Sequence, residues 1–478
     1  MIFKVYLNDL SFRYEVYTVI NIFYSLYNIE FVSEDNCDLY IYIADNHRLH
    51  IQKKNEKKTA YELNKDYKSK EEIKKAVFLY LSAVNRRIMP WGTLVGIRPS
   101  KIALKKIAEG RSEEEIVNYY NEHYCTKSDK AQLCIDIAKR ERNFLSNDSK
   151  SISVYIDMPF CPTRCLYCSF DSNPINACRD IVGPYLEKLS FEIKSTAQYI
   201  KEKKLKIKCV YFGGGTPTSV NDMQFASILN DIYEYLVCGN DIKEFTVECG
   251  RPDSITEDKL ISMKKCNVSR ISINPQSMND KTLKLIGRNH SASDIIEKFK
   301  LARSLGFDNI NMDIIVGLPD EGIHEIERTC SEISKLEPDN ITVHGLCVKR
   351  GSRLYENILK NYNYKNVNQN EINMMFEEAF KTAHDLFMKP YYVYRQKNIA
   401  GNMQNTGYST EGKEGLYNME MIEENQTIIG IGADAVTKVI FKDENRIERF
   451  PNVKNVEEYI RRTDEMIRKR TQLLNTLY

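Results

Sequence analysis

Short apolar segments alternate with amphipathic helical segments between residues 151 and 344, and this alternation limits the possible folds more than any other feature of the chain. The strand-like segments are Ser151–Asp157, Lys208–Phe212, Glu244–Cys249, Arg270–Asn274, Asn309–Val316 and Asn340–His344. The helical segments are Pro184–Glu202, Asp222–Leu236, Glu257–Lys265, Asp280–Ile286, Ser293–Leu305 and Ile323–Lys335. This order predicts an α/β fold with a parallel sheet, closed or partly closed. Ligands of such folds bind at the carboxyl ends of the strands.

The chain before this core combines both kinds of pattern. Residues 1–95 predict an N-terminal α+β domain, and the charged, helical residues 96–150 predict a connector. In the N-terminal domain the strand patterns are Ile2–Leu7 and Leu39–Ala44, and the helical patterns are Glu15–Tyr27 and Lys70–Val84. No catalytic motif is found here.

The core is assigned to residues 151–365, and residues 366–478 predict a C-terminal α/β extension that covers the substrate. The extension contains two strong helical patterns, Glu371–Phe387 and Val456–Leu474. Between these helices, Gly401–Ser409 has the composition of a loop and Gly430–Ala435 that of a tight turn.

Composition and charge exclude several classes of protein. The chain is 42% hydrophobic and 28% charged, which is typical of a globular protein. Its 68 Lys and Arg nearly balance its 66 Asp and Glu, so we expect no nucleic-acid partner. No apolar run reaches about 18 residues, and the first residues do not resemble a signal peptide, so we expect no membrane span. The resulting expectation is a cytoplasmic monomer.

Three of the 13 cysteines lie close together in a C-x3-C-x2-C pattern directly after the first core strand. These are Cys161, Cys165 and Cys168, and three such thiolates can hold an iron–sulfur cluster. A four-iron cluster would keep one iron open for another ligand, as catalytic metals do. A structural zinc site is an alternative if Cys178 or a distant histidine supplies a fourth ligand. The remaining cysteines mostly lie in apolar patterns typical of buried thiols.

A glycine-rich loop, Gly213–Thr218, follows the second core strand. Its three consecutive glycines allow a ligand to approach the backbone closely. A phosphate is one candidate ligand, but the loop is not followed by the Gly-Lys-Ser/Thr of a P-loop. A zwitterionic amino acid suits the loop better, because backbone carbonyls accept hydrogen bonds from an ammonium group.

With these motifs the chain resembles the radical S-adenosylmethionine (SAM) enzymes and, more narrowly, the oxygen-independent coproporphyrinogen III oxidase family. The long N-terminal region and Pro90-Trp91-Gly92 resemble its coproporphyrinogen dehydrogenase branch. Besides the cysteine and glycine loops, the resemblance rests on Tyr155, Glu248, Arg270–Asp280, Leu285–His290 and Asn311–Pro319. It covers residues 151–350 closely and continues to about residue 440, and it implies a radical SAM partial (β/α)6 barrel.

The resemblance also implies a role for individual residues. Cys161, Cys165 and Cys168 would bind a [4Fe–4S] cluster, and SAM would chelate its fourth iron. The SAM-binding residues would be Tyr155, Tyr167, Gly214, Gly215, Thr216, Glu248, Gln276, Arg288, Asp313 and Cys347. The forked guanidinium of Arg288 is well shaped to pair with the methionine carboxylate. Tyr155 and Asp157 would be the catalytic residues.

The implied reaction belongs to haem biosynthesis. A radical formed from SAM would abstract hydrogen from propionate side chains of coproporphyrinogen III, and oxidative decarboxylation would give the vinyl groups of protoporphyrinogen IX. An electron donor such as ferredoxin or flavodoxin would be needed. A tetrapyrrole with four carboxylates requires basic and aromatic residues, for which the candidates are Arg350, Arg353, Tyr392, Tyr394, Arg395 and Lys397.

Two positions depart from the family pattern. The established oxidases have Tyr-x-His where this chain has Tyr155-Ile-Asp157, and they have a further cysteine at the position of Phe170. Two alternative functions therefore stay open. One is another radical reaction on a tetrapyrrole, such as methylation or ring opening. The other is haem binding for trafficking without catalysis, with His290 or His344 as candidate axial ligand.

Overall fold

A computed structural model describes most of the chain, namely residues 2–24, 27–44, 48–63, 70–96, 98–144, 148–169, 173–360, 362, 364 and 367–478. The chain forms two compact units. The first consists of Met1–Lys139, Asn368–Asn373 and Val393–Asn405, and the second of Arg140–Val367, Met374–Tyr392 and Thr406–Tyr478. The domain boundaries that we placed at residues 95, 150 and 365 stay predictions. Within the described residues, no helix combines the length and the apolar character needed to cross a membrane.

The first unit contains a five-stranded sheet in the order β2-β1-β3-β4-β5. Its strands are β1 (Ile2–Leu7), β2 (Asn28–Phe31), β3 (Leu39–Ala44), β4 (Arg48–Lys53) and β5 (Thr59–Glu62). β1 is parallel to β2 and β3, and the remaining pairs are antiparallel. The early helices are α1 (Arg13–Phe23), α2 (Lys70–Asn85), α3 (Ser100–Ala108), α4 (Glu113–Tyr124) and α5 (Ser128–Glu141).

Alternating apolar side chains place one face of β1, an interior strand of that sheet, in the core. Phe3, Val5 and Leu7 are buried in one cluster with α1 and α2, as the period of two predicts. A second cluster forms around the fully buried Trp91, which donates a hydrogen bond from its indole nitrogen to Gln404 Oε1 at 2.8 Å.

The second unit is built on an eleven-stranded sheet in the order β14-β15-β13-β12-β11-β10-β9-β6-β16-β17-β18. The strands between residues 151 and 365 are β6 (Ser151–Met158), β7 (Phe160–Cys161), β8 (Asn173–Pro174), β9 (Lys206–Gly214), β10 (Glu244–Gly250), β11 (Arg270–Ile273), β12 (Ile310–Val316) and β13 (Asn340–Gly345). The later strands are β14 (Lys389–Tyr394), β15 (Asn405–Ser409), β16 (Thr427–Ile431), β17 (Val436–Phe441) and β18 (Arg446–Pro451). β7 and β8 pair with each other outside this sheet.

Helices connect and cover these strands. They are α6 (Arg179–Glu202), α7 (Asp222–Ile232), α8 (Glu257–Lys265), α9 (Asp280–Leu285), α10 (Ala292–Ser304), α11 (Ile323–Leu336), α12 (Arg353–Leu359), α13 (Gln369–Asp385), α14 (Leu416–Glu423) and α15 (Val456–Leu474). A π-helical segment, Tyr233–Val237, extends α7.

The predicted α/β core is confirmed. The six predicted strands correspond to β6, β9, β10, β11, β12 and β13, which are parallel neighbours in sequence order. Among the described residues the sheet is open, with β14 and β18 at its edges. All six strands therefore end on the same side, where the cysteine loop and the glycine loop begin.

The loop predicted at Gly401–Ser409 is partly wrong, because its last five residues form β15. This strand pairs antiparallel with β13, and Ile341 lies opposite Tyr408. All residues of β15 are buried although most are polar, so no apolar alternation marks them in the sequence. A Cβ on Gly407 would lie 2.1 Å from the Tyr392 ring, which explains the glycine in the strand.

Candidate active site

The three-cysteine loop lies at the carboxyl end of β6. Cys161 and Cys165 are buried and Cys168 is half-buried. The amide of Cys168 donates to the carbonyl of Cys165 at 3.2 Å, and the hydroxyl of Thr216 donates to Cys161 Sγ at 3.5 Å. Burial raises the pKa of the Cys161 thiol to about 12, and the neighbouring Cys168 and Cys165 contribute to this shift. The three thiols are thus close enough to interact electrostatically.

This arrangement fits a cluster better than a single ion. Among the residues that the structure describes, no group of three or more His, Cys, Asp and Glu side chains is placed to hold one metal ion. A four-iron cluster has a different requirement, because each thiolate binds a different iron and the thiolates need not meet at one point.

The glycine loop packs directly against the cysteine loop. Gly214 has a φ of +104°, and a Cβ there would lie 2.6 Å from Asp157 Oδ2. A Cβ on Gly215 would lie 2.7 Å from the carbonyl oxygen of Phe160 and 3.0 Å from Cys161 Sγ. Only glycine permits this approach at both positions.

The hydrogen bonds of the glycine loop disfavour a phosphate ligand. The amide of Gly215 donates to the carbonyl of Met158 at 2.7 Å, and the amide of Thr216 donates to that of Phe160 at 2.8 Å. A phosphate would need such amides as donors. An ammonium group, which needs acceptors, is compatible with this arrangement.

Two carboxylates within β10 and β12, Glu248 and Asp313, have pKa values shifted in opposite directions. Burial raises the pKa of Glu248 to about 7; a hydrogen bond from Tyr211 opposes this shift and Asp313 adds to it. Burial would also raise the pKa of Asp313, but His344 and Asn311 hold it below its ordinary value. His344 Nε2 lies 3.7 Å from Asp313 Oδ2, and Asn311 Nδ2 donates to Asp313 Oδ1 at 2.7 Å.

Gln276, which follows β11, has an unusual backbone conformation. Its φ of +65° is in the left-handed region, although the residue is not glycine. The conformation is held by its amide, which donates to the carbonyl of Asp313 at 2.9 Å, and by its carbonyl, which accepts from Ile315 at 3.0 Å. The side chain is 8% exposed, and its Oε1 has no hydrogen-bond partner among the described residues. Such strain is concentrated at functional sites.

Arg288 lies beside the cysteine loop. Its Nη1 donates to the carbonyl of Asn274 at 2.5 Å, and the residue is buried. Burial opposes its charge, but Tyr167 and Cys165 nevertheless hold its pKa above the ordinary value. Its Nε has no hydrogen-bond partner within the described chain. The guanidinium can therefore offer a donor to a ligand carboxylate.

Tyr155 and Asp157, the predicted catalytic residues, form a pair. The Tyr155 hydroxyl donates to Asp157 Oδ2 at 2.8 Å. Burial raises the pKa of Asp157 well above its usual range, and the hydrogen bond from Tyr155 only partly offsets this. Asp434 and Glu248 raise the pKa further.

Asp434 is a site residue that the sequence analysis missed. It follows β16 in a turn, has a φ of +63°, and acts on Asp157 because β16 lies beside β6. The Gly-x-Gly before it indicated a turn but not which strand that turn would adjoin.

The structure corrects the prediction that Arg395 binds the substrate. Arg395 is 3% exposed, lies over the Trp91 ring at 4.9 Å and donates to backbone carbonyls, including that of Asn402 at 2.8 Å. The expectation that it contacts substrate carboxylates is therefore wrong. Cys347, the looser SAM-binding candidate, is half-buried just after β13. Phe170 lies outside the described residues.

Comparison with known proteins gives a consistent result. The radical SAM superfamily matches residues 155–333. The oxygen-independent coproporphyrinogen-III oxidase-like protein HemZ of Bacillus subtilis (strain 168) is 41% identical over 390 residues, which is 80% of this chain and 77% of that protein. The heme chaperone HemW of the same strain is 29% identical over 254 residues, or 49% of this chain and 66% of HemW.

A solved structure supports the fold. The Escherichia coli coproporphyrinogen III oxidase HemN, described as a radical SAM enzyme, has a TM-score of 0.53 and 18% identity, covering 71% of this chain and 73% of its own. The superfamily match includes the three cysteines and the ends of β6, β9, β10, β11 and β12, and it implies a [4Fe–4S] cluster and SAM. The similarity to HemZ extends well beyond that region. The chain therefore belongs to the radical SAM superfamily and, within it, to the family of oxygen-independent coproporphyrinogen-III oxidase-like proteins.

Proposed function

We propose that this protein is a radical SAM oxidoreductase of haem biosynthesis that converts propionate side chains of coproporphyrinogen III into the vinyl groups of protoporphyrinogen IX. The observation that carries the proposal is the hydrogen-bonded pair of Tyr155 and the buried Asp157, which lies directly against Gly214, beside the cysteine loop. The relationship to HemZ, whose name describes it as coproporphyrinogen-III oxidase-like, supports the choice of substrate.

In this proposal each group of site residues holds one part of the cofactor. Cys161, Cys165 and Cys168 bind the cluster. Arg288 pairs with the methionine carboxylate, and the carbonyls of the glycine loop accept from the ammonium. The remaining contacts to SAM come from Tyr155, Tyr167, Gly214, Gly215, Thr216, Glu248, Gln276, Asp313 and Cys347. When bound, the cluster and SAM supply a 5′-deoxyadenosyl radical that abstracts a hydrogen atom from the substrate.

The raised pKa of Asp157 suits a substrate that carries carboxylates. Because burial keeps this carboxyl neutral over a wider pH range, it can lie beside a propionate without charge repulsion and can donate a hydrogen bond to it. Loss of a hydrogen atom, carbon dioxide and one electron from the propionate leaves the vinyl group. A one-electron acceptor must take that electron, and a carrier such as ferredoxin or flavodoxin would reduce the cluster.

Anaerobic turnover tests the proposal. The reconstituted protein is incubated with SAM, dithionite and coproporphyrinogen III, and 5′-deoxyadenosine, carbon dioxide and porphyrin products are measured by mass spectrometry. We expect all three from the wild type and none from Cys161→Ala. Cys266→Ala is the matched control, because Cys266 is also buried but lies outside the loop.

Other outcomes identify the alternatives. If 5′-deoxyadenosine forms without loss of carbon dioxide, a different radical reaction on the tetrapyrrole replaces the proposed one. If no SAM is cleaved and haem binds tightly, the protein is a haem carrier. His344 is then the candidate axial ligand, because its side chain is 26% exposed whereas that of His290 is fully buried.

A further inference from the structure

Arg251, Asp253 and His290 form a group of charged and polar side chains beside the cysteine loop, and neither Arg251 nor Asp253 has any of the roles above. Arg251, which follows β10, is 3% exposed. Its Nε and Nη2 donate to the two carboxylate oxygens of Asp253 at 3.0 and 2.8 Å. His290, with a fully buried side chain, places Nδ1 at 3.7 Å from Asp253 Oδ1. The sequence analysis did not single out Arg251 or Asp253.

The remaining guanidinium nitrogen of Arg251, Nη1, forms hydrogen bonds with the cysteine loop. Nη1 donates to the hydroxyl oxygen of Thr163 at 2.6 Å and to its carbonyl oxygen at 3.2 Å. The Thr163 hydroxyl in turn donates to the carbonyl of Gly287 at 2.7 Å. Thr163 lies midway between Cys161 and Cys165. One guanidinium therefore connects the segment between two cluster ligands to the loop that follows β10.

Asp253 keeps this guanidinium oriented. Burial alone would raise the pKa of Asp253, but His290 and Arg251 hold it well below its usual range, so the carboxylate stays ionised near neutral pH. A forked arginine–carboxylate pair has a defined direction, and here the positive end points toward Thr163. Thr163 is two residues away from both Cys161 and Cys165, so the guanidinium charge lies beside the segment that carries these two cluster ligands.

We propose that Arg251 is a positioning residue for the iron–sulfur cluster, which both anchors the Cys161–Cys165 segment and, with Asp253 as its partner, sets the reduction potential of the cluster. One-electron reduction adds a negative charge to a buried site, so a fixed positive charge nearby stabilises the reduced state. Groups around the ligands of a metal commonly tune it in this way. The inference rests on cluster binding and not on the tetrapyrrole reaction, so it can fail or hold independently of the proposed substrate.

Substitutions of Arg251 and of Asp253 should shift the midpoint potential of the cluster in opposite directions. A purely structural role would not produce shifts of opposite sign. In the anaerobically reconstituted full-length protein, Arg251→Met removes the positive charge and should make the midpoint potential more negative. We expect roughly a tenfold change in the reduction equilibrium, which is about 59 mV for a one-electron couple. Asp253→Asn removes the negative charge and should make the potential more positive. Potentials are measured by redox titration with electron paramagnetic resonance detection.

Two further variants complete the design. Arg395→Met is the matched control, because Arg395 is also 3% exposed and donates to the backbone carbonyls of Leu94, Asn402 and Met403. The midpoint potential of this variant should equal that of the wild type. Arg251→Lys keeps the charge and should restore the potential while retaining less iron per chain, because it loses the fork. The proposal is overturned if Arg251→Met and Asp253→Asn shift the potential in the same direction, or if neither shifts it at full iron loading.

Discussion

Individual side chains in this site are tuned by where the fold buries them. Glu248 and Asp313 are both carboxylates on core strands, yet the pKa of Glu248 is raised to about 7 and that of Asp313 is lowered. The difference comes from their neighbours, since Asp313 has His344 and Asn311 beside it while Glu248 has Tyr211. Perturbed pairs of this kind are typical of active sites.

The raised pKa of Glu248 predicts a pH-dependent stability. The ordinary pKa of a glutamate is 4.5. Between pH 4.5 and about pH 7, Glu248 in the folded protein therefore keeps a proton that it has released in the unfolded chain. The stability that this proton confers is fully present below pH 4.5 and is lost as the pH rises through 7. The loss is on the order of 3 kcal/mol. In the cluster-free protein, Glu248→Gln should remove this part of the pH dependence, measured by denaturant unfolding at pH 5 and pH 8. Equal pH dependence in the variant and in the exposed control Glu257→Gln would contradict the prediction.

The close packing at Gly214 predicts a steric cost of substitution, and Gly239 provides a control in which only backbone strain is present. Gly214→Ala should be destabilising by about 1–3 kcal/mol more than Gly239→Ala, because only the first substitution pushes against another side chain. Gly239 also has a positive φ, +77°, but nothing lies within 4 Å of a Cβ there, whereas at Gly214 the Cβ meets Asp157. Relief of that contact would disturb the hydrogen bond from Tyr155, so SAM affinity, measured by calorimetry, should fall only in Gly214→Ala. Similar values for both variants would show that backbone strain alone matters.

At the scale of elements, helices α6 and α15 stabilise the turn that follows β16. Glu192 of α6 is fully buried and accepts hydrogen bonds from Arg470 of α15 at 2.5 Å and from the amide of Gly432 at 2.8 Å. The turn is also tied to Tyr185, whose hydroxyl donates to the carbonyl of Asp157 at 2.8 Å and accepts from the amide of Ala433 at 3.3 Å. α15 thus stabilises, through Glu192 of α6, the turn that carries Asp434.

Breaking the ion pair between α6 and α15 should be costly. Arg470→Met leaves the buried charge of Glu192 without its main partner, and we expect a loss of about 3–5 kcal/mol in the free energy of unfolding. The control on the same helix is Arg462→Met, which removes a solvent-exposed ion pair with Glu465 and should change stability little. Comparable losses in the two variants, measured by urea unfolding, would mean that the helix rather than the pair is responsible.

On the scale of the whole molecule, every residue assigned to the cluster and to SAM belongs to the second unit. Ligand binding stabilises the state that binds, and the effect appears in the cooperative unit that holds the ligand. The first unit has its own sheet and its own apolar clusters.

Hydrogen exchange can test this division. With SAM at about 100 times its Kd, the reconstituted protein should gain about 2.7 kcal/mol, which corresponds to roughly a hundredfold slower exchange at β6, β9 and β10. Peptides from β1 and β3 should change far less. The Cys161→Ala protein is the control and should show no such protection. Equal protection of β1 and β6 would contradict the assignment to one unit.

The local information in the sequence is sufficient for the core. Strand β6, strands β9 to β13 and the helices between them could be predicted because apolar periodicity depends only on neighbouring residues. The bounds of α8 (Glu257–Lys265) agree with the prediction. The spacing of Cys161, Cys165 and Cys168 within one loop is local as well, so the kind of cofactor could be inferred from it.

The rest of the site depends on strand pairing and contacts between residues that are distant in the sequence. Such contacts leave no local pattern from which they could be predicted. The C-terminal strands β15 and β16 join opposite sides of the six-stranded core, and only that pairing brings Asp434 to Asp157. The same holds for Arg251, whose Nη1 reaches Thr163 only when the loop after β10 meets the cysteine loop. The sequence by itself thus determined the order of the core elements and the residues able to bind a cluster. Tertiary structure decided which carboxylates and cations surround them, because pKa shifts and ion pairs depend on burial and distance, and neither is encoded in neighbouring residues.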